Sequence, residues 1–201
     1  QSRMKFILAS SSPRRRELLL RLQTPFDIIL PDVDESIIPP DGSPETYCTA
    51  LAELKANDIS QHYPNNLVIG SDTIVVLDDQ IMGKPDDKAQ AQKMLESLSG
   101  RTHHVYTGVC LKWAERNIHH LFAEITMVTF RELEERDINH YIESCPPYDK
   151  AGSYGIQDWS AVFVQEIKGC YDNVVGFPIS RFYQELKKLG INLLDSLSEA
   201  S

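Results

Sequence analysis

The chain has 201 residues, of which 42% are hydrophobic and 24% charged, and its formal net charge is −9. These proportions are those of a globular protein with a substantial core, built as one sizeable domain or two lobes. Because an acidic surface repels a polyphosphate backbone, general binding of DNA or RNA is disfavoured, whereas a local pocket for a small anion is not. The sequence shows no membrane-spanning apolar run and no secretory signal, so we expect no membrane partner.

The cysteines are scattered along the chain and form no C-x-x-C pair. They stand at four positions, Cys48, Cys110, Cys145 and Cys170. Isolated cysteines are typical of a reducing compartment rather than of a disulfide framework or a structural zinc site. We therefore expect a cytoplasmic location.

Strands and helices alternate in the first part of the sequence. Residues 4–10 form a short apolar run that predicts a buried strand, and Ser12 with Pro13 is typical of a helix start. The elements predicted after this helix are a strand at 26–30, a helix at 43–59, strands within 67–77, a helix at 87–100, a hairpin of 105–113 with 118–130, a helix at 131–144, a strand at 161–167 and a segment at 174–189 that leads into a last helix.

Together these elements predict an α/β fold. The hairpin in the middle of the chain favours a mixed, twisted sheet with helices on both faces over a purely parallel sheet. No linker of Gly, Ser or Pro divides the sequence. We therefore predict one domain over residues 4–190, followed by a polar tail over residues 191–201.

The segment at residues 7–19, ILASSSPRRRELL, has the parts of an anion site. A helix N-terminus presents unpaired N–H groups, the serines add hydroxyls, and Arg14 and Arg15 add forked donors suited to phosphate. The alternative is a capped surface helix with solvated arginines. The motif differs from a P-loop, since it lacks the spaced glycines and the Lys-Ser/Thr ending.

Asp72 is the second candidate. We predict that Gly70-Ser71-Asp72 interrupts the apolar run 67–77 as a break between two strands. A carboxylate at a break deep in the fold needs a cationic partner or a metal, whereas a turn aspartate is the alternative interpretation.

Two loops and one helix offer further polar groups. Lys84 precedes Pro85, and the glycine-rich loop 148–157 carries Lys150 and Gln157. Taken alone, the loop reads as an ordinary surface loop. Lys55 lies at the end of a helical face and would normally be solvated. Glu35 lies in an acidic loop, and the sequence pattern around it indicates no particular function.

These segments occur in the same order as in the Maf family, which the chain resembles from about residue 6 to residue 189. The most specific motifs are S-x-S-P-R-R, S-D-T and K-A-G-x-Y-G-I-Q. The resemblance implies a Maf/ITPase-like fold with two lobes around a central cleft. It also implies a nucleoside triphosphate pyrophosphatase that cleaves between the α- and β-phosphates and uses Mg²⁺ or Mn²⁺. Members of the family are often dimers, which makes a homodimer a candidate assembly.

The resemblance also assigns roles to residues. Asp72 matches the catalytic proton acceptor and metal ligand, and Glu35 matches an acidic active-site residue. The residues assigned to phosphate binding are Ser10, Ser12, Arg14, Arg15, Lys55 and Lys84.

The substrate branch is implied by Arg14, Thr73 and Gln157. One branch of the family has these residue types and acts on dTTP and UTP, whereas the 7-methyl-GTP branch has Trp, Gln and Glu at the same places. Uracil and thymine present an N3–H donor beside carbonyl acceptors, which the Gln157 amide can pair. An amide can also flip to meet cytosine, and Arg14, which only donates, would then favour the base carbonyl. A nucleotide-binding regulator and a pyrophosphatase for modified nucleotides are the competing interpretations.

Overall fold

The computed structural model describes residues 5–198, with side chains through residue 195. Its strands are β1 (Phe6–Ala9), β2 (Phe26–Ile28), β3 (Leu67–Leu77), β4 (Gln80–Met82), β5 (Thr102–Trp113), β6 (Ile118–Phe130) and β7 (Val164–Lys168). Its α-helices are α1 (Pro13–Leu20), α2 (Pro44–Ser60), α3 (Lys88–Leu98), α4 (Glu135–Ser144), α5 (Tyr171–Val175), α6 (Ile179–Lys188) and α7 (Leu193–Ser198).

The strands form one seven-stranded sheet in the order β2-β1-β3-β5-β6-β7, with β4 paired to β3. β1 runs parallel to both β2 and β3, whereas the β3–β4 and β6–β7 pairs are antiparallel. The predicted mixed α/β sheet is therefore confirmed.

The chain divides into two compact units. The first contains the residues up to Asp72, residues 107–124 and the residues from Gly176 onward, and the second contains residues 73–106 and 125–175. The predicted division into a domain over 4–190 and a tail over 191–201 stays a prediction, and its residues 4 and 199–201 lie outside the described part. Within the described part of that tail, Ile191 and Leu193 are buried.

The core of the first unit lies where α2 packs on β1 and β3. Its members are Ile7, Ala9, Ala52, Ala56, Ile59, Val68 and Cys110. Small residues on α2 let its backbone approach the sheet closely. The closest approach is at Gly70, where a Cβ atom would lie 2.1 Å from the carbonyl oxygen of Ala52 and 2.8 Å from the Cβ of Ala56.

The second unit has an aromatic core. Phe130 packs edge-on against Tyr154 at 4.8 Å between ring centroids and against His103 at 5.0 Å. His103 is fully buried, and burial lowers its pKa to about 3, so its ring is neutral at physiological pH. This histidine is therefore a packed core residue.

Local signals predict the starts of α1, α2 and α3 correctly. The Ser12 hydroxyl accepts the Arg15 N–H, the Ser43 hydroxyl accepts the Thr46 N–H, and the Asp87 carboxylate accepts the Gln90 N–H. Gly100 follows the end of α3 at a φ of +68°, as a glycine C-cap should.

The predicted strand break at Asp72 is wrong, because β3 runs without interruption from Leu67 to Leu77. Gly70 is required by the close approach of α2 and not by a turn. The predicted start of α4 at residue 131 is also wrong. The backbone of Arg131 instead accepts from Gly100 N and donates to Phe163 O, which holds it in extended pairing until the helix begins at Glu135.

Candidate active site

The turn between β1 and α1 is organised by two serine hydroxyls. Ser12 Oγ accepts the Arg15 N–H at 3.2 Å, which makes it the N-cap of α1. Ser10 Oγ accepts the Ser12 N–H at 3.2 Å and Arg15 Nη1 at 2.8 Å. A hydroxyl that accepts twice still has its own proton to donate, so Ser10 can donate to an anion at this helix start.

Arg15 is buried, with 7% of its surface exposed. Its Nε donates to the carbonyl oxygen of Gly176 at 2.9 Å. Burial lowers the pKa of its guanidinium to about 10, and the negative charge of Asp72 partly opposes this shift, so Arg15 is cationic at neutral pH. Arg15 therefore joins α1 to the chain that enters α6, while Arg14 is the more exposed of the two arginines.

The sheet register places Asp72 beside this turn. Ala9, the last residue of β1, pairs with Gly70 on the parallel strand β3. Neighbouring strands lie about 4.8 Å apart, and β3 continues past the end of β1. Asp72 therefore lies next to the segment in which the chain turns from β1 into α1.

Lys55 joins two carboxylates. Its Nζ lies 2.9 Å from Asp72 Oδ1 and 2.8 Å from Glu35 Oε1. The side chains of Lys55 and Asp72 are 16% and 15% exposed, whereas that of Glu35 is 53% exposed. The Lys55–Asp72 ion pair is thus shielded from solvent, and the Glu35 carboxylate contacts Lys55 from the solvent side.

The neighbouring acidic residue Asp34 has a different role. It is the N-cap of a 3₁₀ turn over Glu35–Ile37, and its Oδ1 accepts both the hydroxyl and the N–H of Ser36. These two hydrogen bonds lower the pKa of Asp34. The capped turn leaves Glu35 to point at Lys55.

Sequence reasoning missed Tyr47, which is on α2 with Lys55. Partial burial and then the charges of Asp72 and Glu35 raise the pKa of its hydroxyl. The spacing of Tyr47, Leu51 and Lys55 at steps of four is the sequence signal that places them along one side of a helix. The adjacent Cys48 is fully buried, and burial raises its pKa to about 12, so it is a neutral thiol and not a nucleophile.

The remaining predicted residues, Thr73, Lys84 and Gln157, belong to the second unit. Lys84 is exposed just after β4 and precedes the buried Pro85. The carbonyl of Gly83 accepts the N–H of Gly152 at 3.1 Å, which attaches the Lys84 segment to the glycine-rich loop. Gln157 is exposed near the end of that loop.

The donor set around Asp72 suits a hard divalent cation bound together with a phosphate. Asp72 and Glu35 are carboxylates that already share one cation, the Lys55 ammonium. Over the described residues no cluster of three or more His, Cys, Asp and Glu side chains is placed to hold a metal. Mg²⁺ commonly takes one or two carboxylates and completes its coordination with water and substrate phosphates, which fits this pair.

A family model described as Maf-like protein matches residues 5–189. The chain belongs to this family. Three relatives of this Maf-like chain are named dTTP/UTP pyrophosphatase. The protein from Bacillus cytotoxicus is 50% identical over 92% of this chain and 95% of its own. Those from Bacillus cereus and Ruminiclostridium cellulolyticum are 47% and 44% identical, each over 94% of this chain and 97% of its own.

A solved structure has a similar fold. The HAM1 protein from Coxiella burnetii superposes with a TM-score of 0.51 over 92% of this Maf-like chain and 99% of its own, at 16% identity. At that identity the likeness concerns the fold alone. Among residues 5–198, no helix has both the length and the apolar character needed to cross a membrane.

Proposed function

We propose that this Maf-like chain is a nucleoside triphosphate pyrophosphatase that hydrolyses dTTP and UTP to the monophosphate and pyrophosphate. The observation that carries the proposal is the name dTTP/UTP pyrophosphatase on relatives that are 44–50% identical over more than nine-tenths of the chain. Arg14, Thr73 and Gln157 are the residue types that the family resemblance associates with this substrate branch.

Phosphate binding is assigned to the turn between β1 and α1. The helix start offers backbone N–H groups and a partial positive charge, Ser10 retains a proton to donate, and Arg14 and Arg15 supply forked donors. Arg15 already donates to Ser10 Oγ and Gly176 O, which fixes the direction of its guanidinium. Lys55 adds an ammonium beside Asp72, and Lys84 stays a predicted phosphate ligand from the second unit.

The reaction needs a water oxygen to bond to the α-phosphorus while the bond from that phosphorus to the bridging oxygen breaks. Asp72, aided by Glu35, orients this water and accepts its proton. The cationic donors at the turn stabilise the charge that gathers on the departing pyrophosphate. Shielding of Asp72 and Lys55 from solvent strengthens these interactions, because fewer water dipoles screen them.

The cofactor we propose is Mg²⁺ or Mn²⁺, which Asp72 would hold together with the triphosphate oxygens of the substrate, beside the carboxylate of Glu35. When bound, the cation supplies positive charge that offsets the charge building on the phosphates. The role of Lys55 is then to keep the two carboxylates close together, since it contacts both.

Base selection is assigned to Gln157 and Arg14. The Gln157 amide pairs with the N3–H and a carbonyl of uracil or thymine, and the donor-only Arg14 favours a carbonyl over the amino group of cytosine. Substituents at C5 leave the pairing edge unchanged, so modified uridine triphosphates fall within the proposed substrate class.

The deciding experiment is a pyrophosphate-release assay over dTTP, UTP, CTP, a modified UTP and 7-methyl-GTP with Mg²⁺ or Mn²⁺. We expect release from dTTP and UTP, and little from CTP or 7-methyl-GTP. Binding of UTP without release of pyrophosphate would identify a nucleotide-binding regulator instead. Equal rates on dTTP, UTP and CTP would contradict the assigned roles of Gln157 and Arg14.

We also propose a reducing, cytoplasmic setting and a homodimeric state. The free state of all four cysteines is consistent with that setting. Light scattering on the purified chain measures the assembly directly, and a mass of one chain would contradict the dimer.

A further inference from the structure

Gln157 is carried by a short turn whose ends are tied together. The N–H of Asp158 donates to the carbonyl of Gly155 at 3.1 Å, which closes a four-residue turn with Ile156 and Gln157 at its centre. Ile156 is buried at 6% exposure, whereas Gln157 is exposed. The apolar residue thus seats the turn in the core of the second unit and directs the amide outward.

One hydroxyl group holds both ends of this turn. Tyr141 Oη accepts the N–H of Gly155 at 3.3 Å and donates to Asp158 Oδ2 at 2.9 Å. Ser160 reinforces the same ends, because its hydroxyl lies 2.6 Å from both Gly155 O and Asp158 Oδ1. The backbone on either side of Gln157 is therefore fixed by side chains outside the turn.

Tyr141 is itself held rigidly. It projects from α4, is fully buried, and packs edge-on against Phe163 at 5.4 Å between ring centroids. Burial, together with the charge of Asp158, raises the pKa of its hydroxyl, so the proton it donates is retained at any physiological pH. Tyr141 is not among the residues proposed above to contact phosphate or base.

We propose that Tyr141 is a positioning residue for base selectivity. Its hydroxyl fixes the turn 155–158, so that the Gln157 amide meets the base from one direction and at one distance. When the turn is loosened, the Gln157 side chain can present either its carbonyl oxygen or its NH₂ group to the base. Cytosine is then accepted more readily. This inference rests on the proposed function, because it assumes that Gln157 contacts the base.

The test is Tyr141→Phe, which removes one oxygen atom and keeps the ring. We expect the ratio of kcat/KM for UTP to that for CTP to fall by roughly tenfold, the factor that one net hydrogen bond contributes. The kcat for UTP should stay within about threefold, since a lost positioning contact acts on base binding and not on the phosphate chemistry. A merely structural role would lower activity on both nucleotides equally and leave the ratio unchanged, which would overturn the inference.

Two controls sharpen the test. Tyr183→Phe removes a hydroxyl from α6 in the first unit and should leave the ratio unchanged. In a Gln157→Ala background, Tyr141→Phe should cause no further change in the ratio, because the group that it positions is already absent. A further tenfold fall in that background would contradict the inference.

A second variant covers the case in which Tyr141→Phe does not fold, as judged by its circular dichroism. Ser160→Ala removes the other side-chain support of the same turn and should lower the ratio in the same direction. The outcomes separate the two proposals. A wild-type protein that releases no pyrophosphate from UTP or dTTP contradicts the proposed function, whereas a selective wild type with equally selective variants contradicts only the role of Tyr141.

Discussion

At the scale of single residues, the charges that shape the candidate site and the stability of the fold belong to a few ion pairs that are shielded from solvent. Lys55 lies 2.9 Å from Asp72 and 2.8 Å from Glu35, and both partners of the inner pair are mostly buried. Sequence patterns alone describe Lys55 as a solvated helix residue. The pairing depends on a sheet register and on a capped turn far away along the chain, which local propensities do not encode.

Asp72→Asn tests the proton acceptor. We expect turnover of UTP to fall by at least about a hundredfold, since general base catalysis contributes roughly 10²–10⁴ in rate. The amide keeps the shape of the carboxylate, so nucleotide binding should remain measurable by calorimetry. Asp41→Asn, at an exposed aspartate, is the matched control and should retain full activity. An Asp72→Asn protein with wild-type turnover would contradict the assignment.

Glu185 forms a second shielded cluster, away from the proposed chemistry. Its carboxylate is 4% exposed and accepts from Arg181 Nε at 2.8 Å and from Lys188 Nζ at 3.3 Å, and its other oxygen lies 2.7 Å from His120 Nε2. Burial acts to raise its pKa, but the hydrogen bonds from Arg181, His120 and Lys188 outweigh burial and lower the pKa to about 2. The Glu185 carboxylate is therefore ionised in the folded protein at neutral and mildly acidic pH.

This cluster makes the free energy of unfolding depend on pH. A depressed pKa stabilises the folded state above the unfolded value of 4.5, and the stabilisation is lost as pH falls towards about 2. We expect Glu185→Gln to lower the free energy of unfolding by about 3 kcal/mol at pH 6. Urea unfolding of both proteins should show this difference narrowing between pH 4.5 and pH 3. The exposed Glu166→Gln is the control, and a Glu185→Gln difference that stays constant with pH would contradict the role of the cluster.

At the scale of elements, features that depend on neighbouring residues can be predicted from the sequence, whereas features that depend on packing between distant segments cannot. The caps at Ser12, Ser43 and Asp87 are local hydrogen bonds, and the sequence predicts them correctly. The predicted strand break at Gly70-Ser71-Asp72 is wrong because Gly70 is required by the close approach of α2, which is distant in sequence. The family resemblance indicates Asp72 and Lys55 as site residues, but it does not give the ion pair that joins them.

Gly70→Ala tests that packing. A Cβ at this position would lie 2.1 Å from a backbone oxygen of α2, so strand and helix must separate. We expect the free energy of unfolding to fall by roughly 1–3 kcal/mol, as for overpacked cores. We also expect UTP turnover to fall by more than this loss of stability explains, because Lys55 moves away from Asp72. Gly83→Ala is the matched control, because a Cβ there meets nothing within 4 Å. Thermal denaturation and UTP turnover measure the two effects, and a Gly70→Ala protein matching the control would contradict this explanation.

At the scale of the whole molecule, the chain combines a net charge of −9 with a group of three arginines at the start of α1. One of the points at which the chain passes between its two compact units falls between Asp72 and Thr73, inside the single strand β3. The residue assigned to proton transfer and its neighbour assigned to selectivity are thus consecutive on a continuous backbone. An acidic surface around a local anion site favours small phosphates over polymeric ones.

This charge distribution predicts indifference to nucleic acid. Excess single-stranded RNA should leave the rate of UTP hydrolysis unchanged at low salt, provided that the divalent metal is kept above the phosphate concentration. The same assay with added pyrophosphate should show inhibition, because that product fits the local site. Inhibition by RNA that disappears at higher salt would indicate a polyanion-binding surface and contradict the prediction.

The contact at Gly70 has a mechanical consequence. Where α2 meets β3, the atoms in closest approach are main-chain atoms and the methyl of Ala56, so no long side chain stands between the two elements. The contact between α2 and β3 is therefore stiff, because no side chain there can change its rotamer to absorb a displacement. The spacing of α2 and β3, and with it the contact of Lys55 with Asp72, is therefore set at this point by the main chain rather than by side-chain packing.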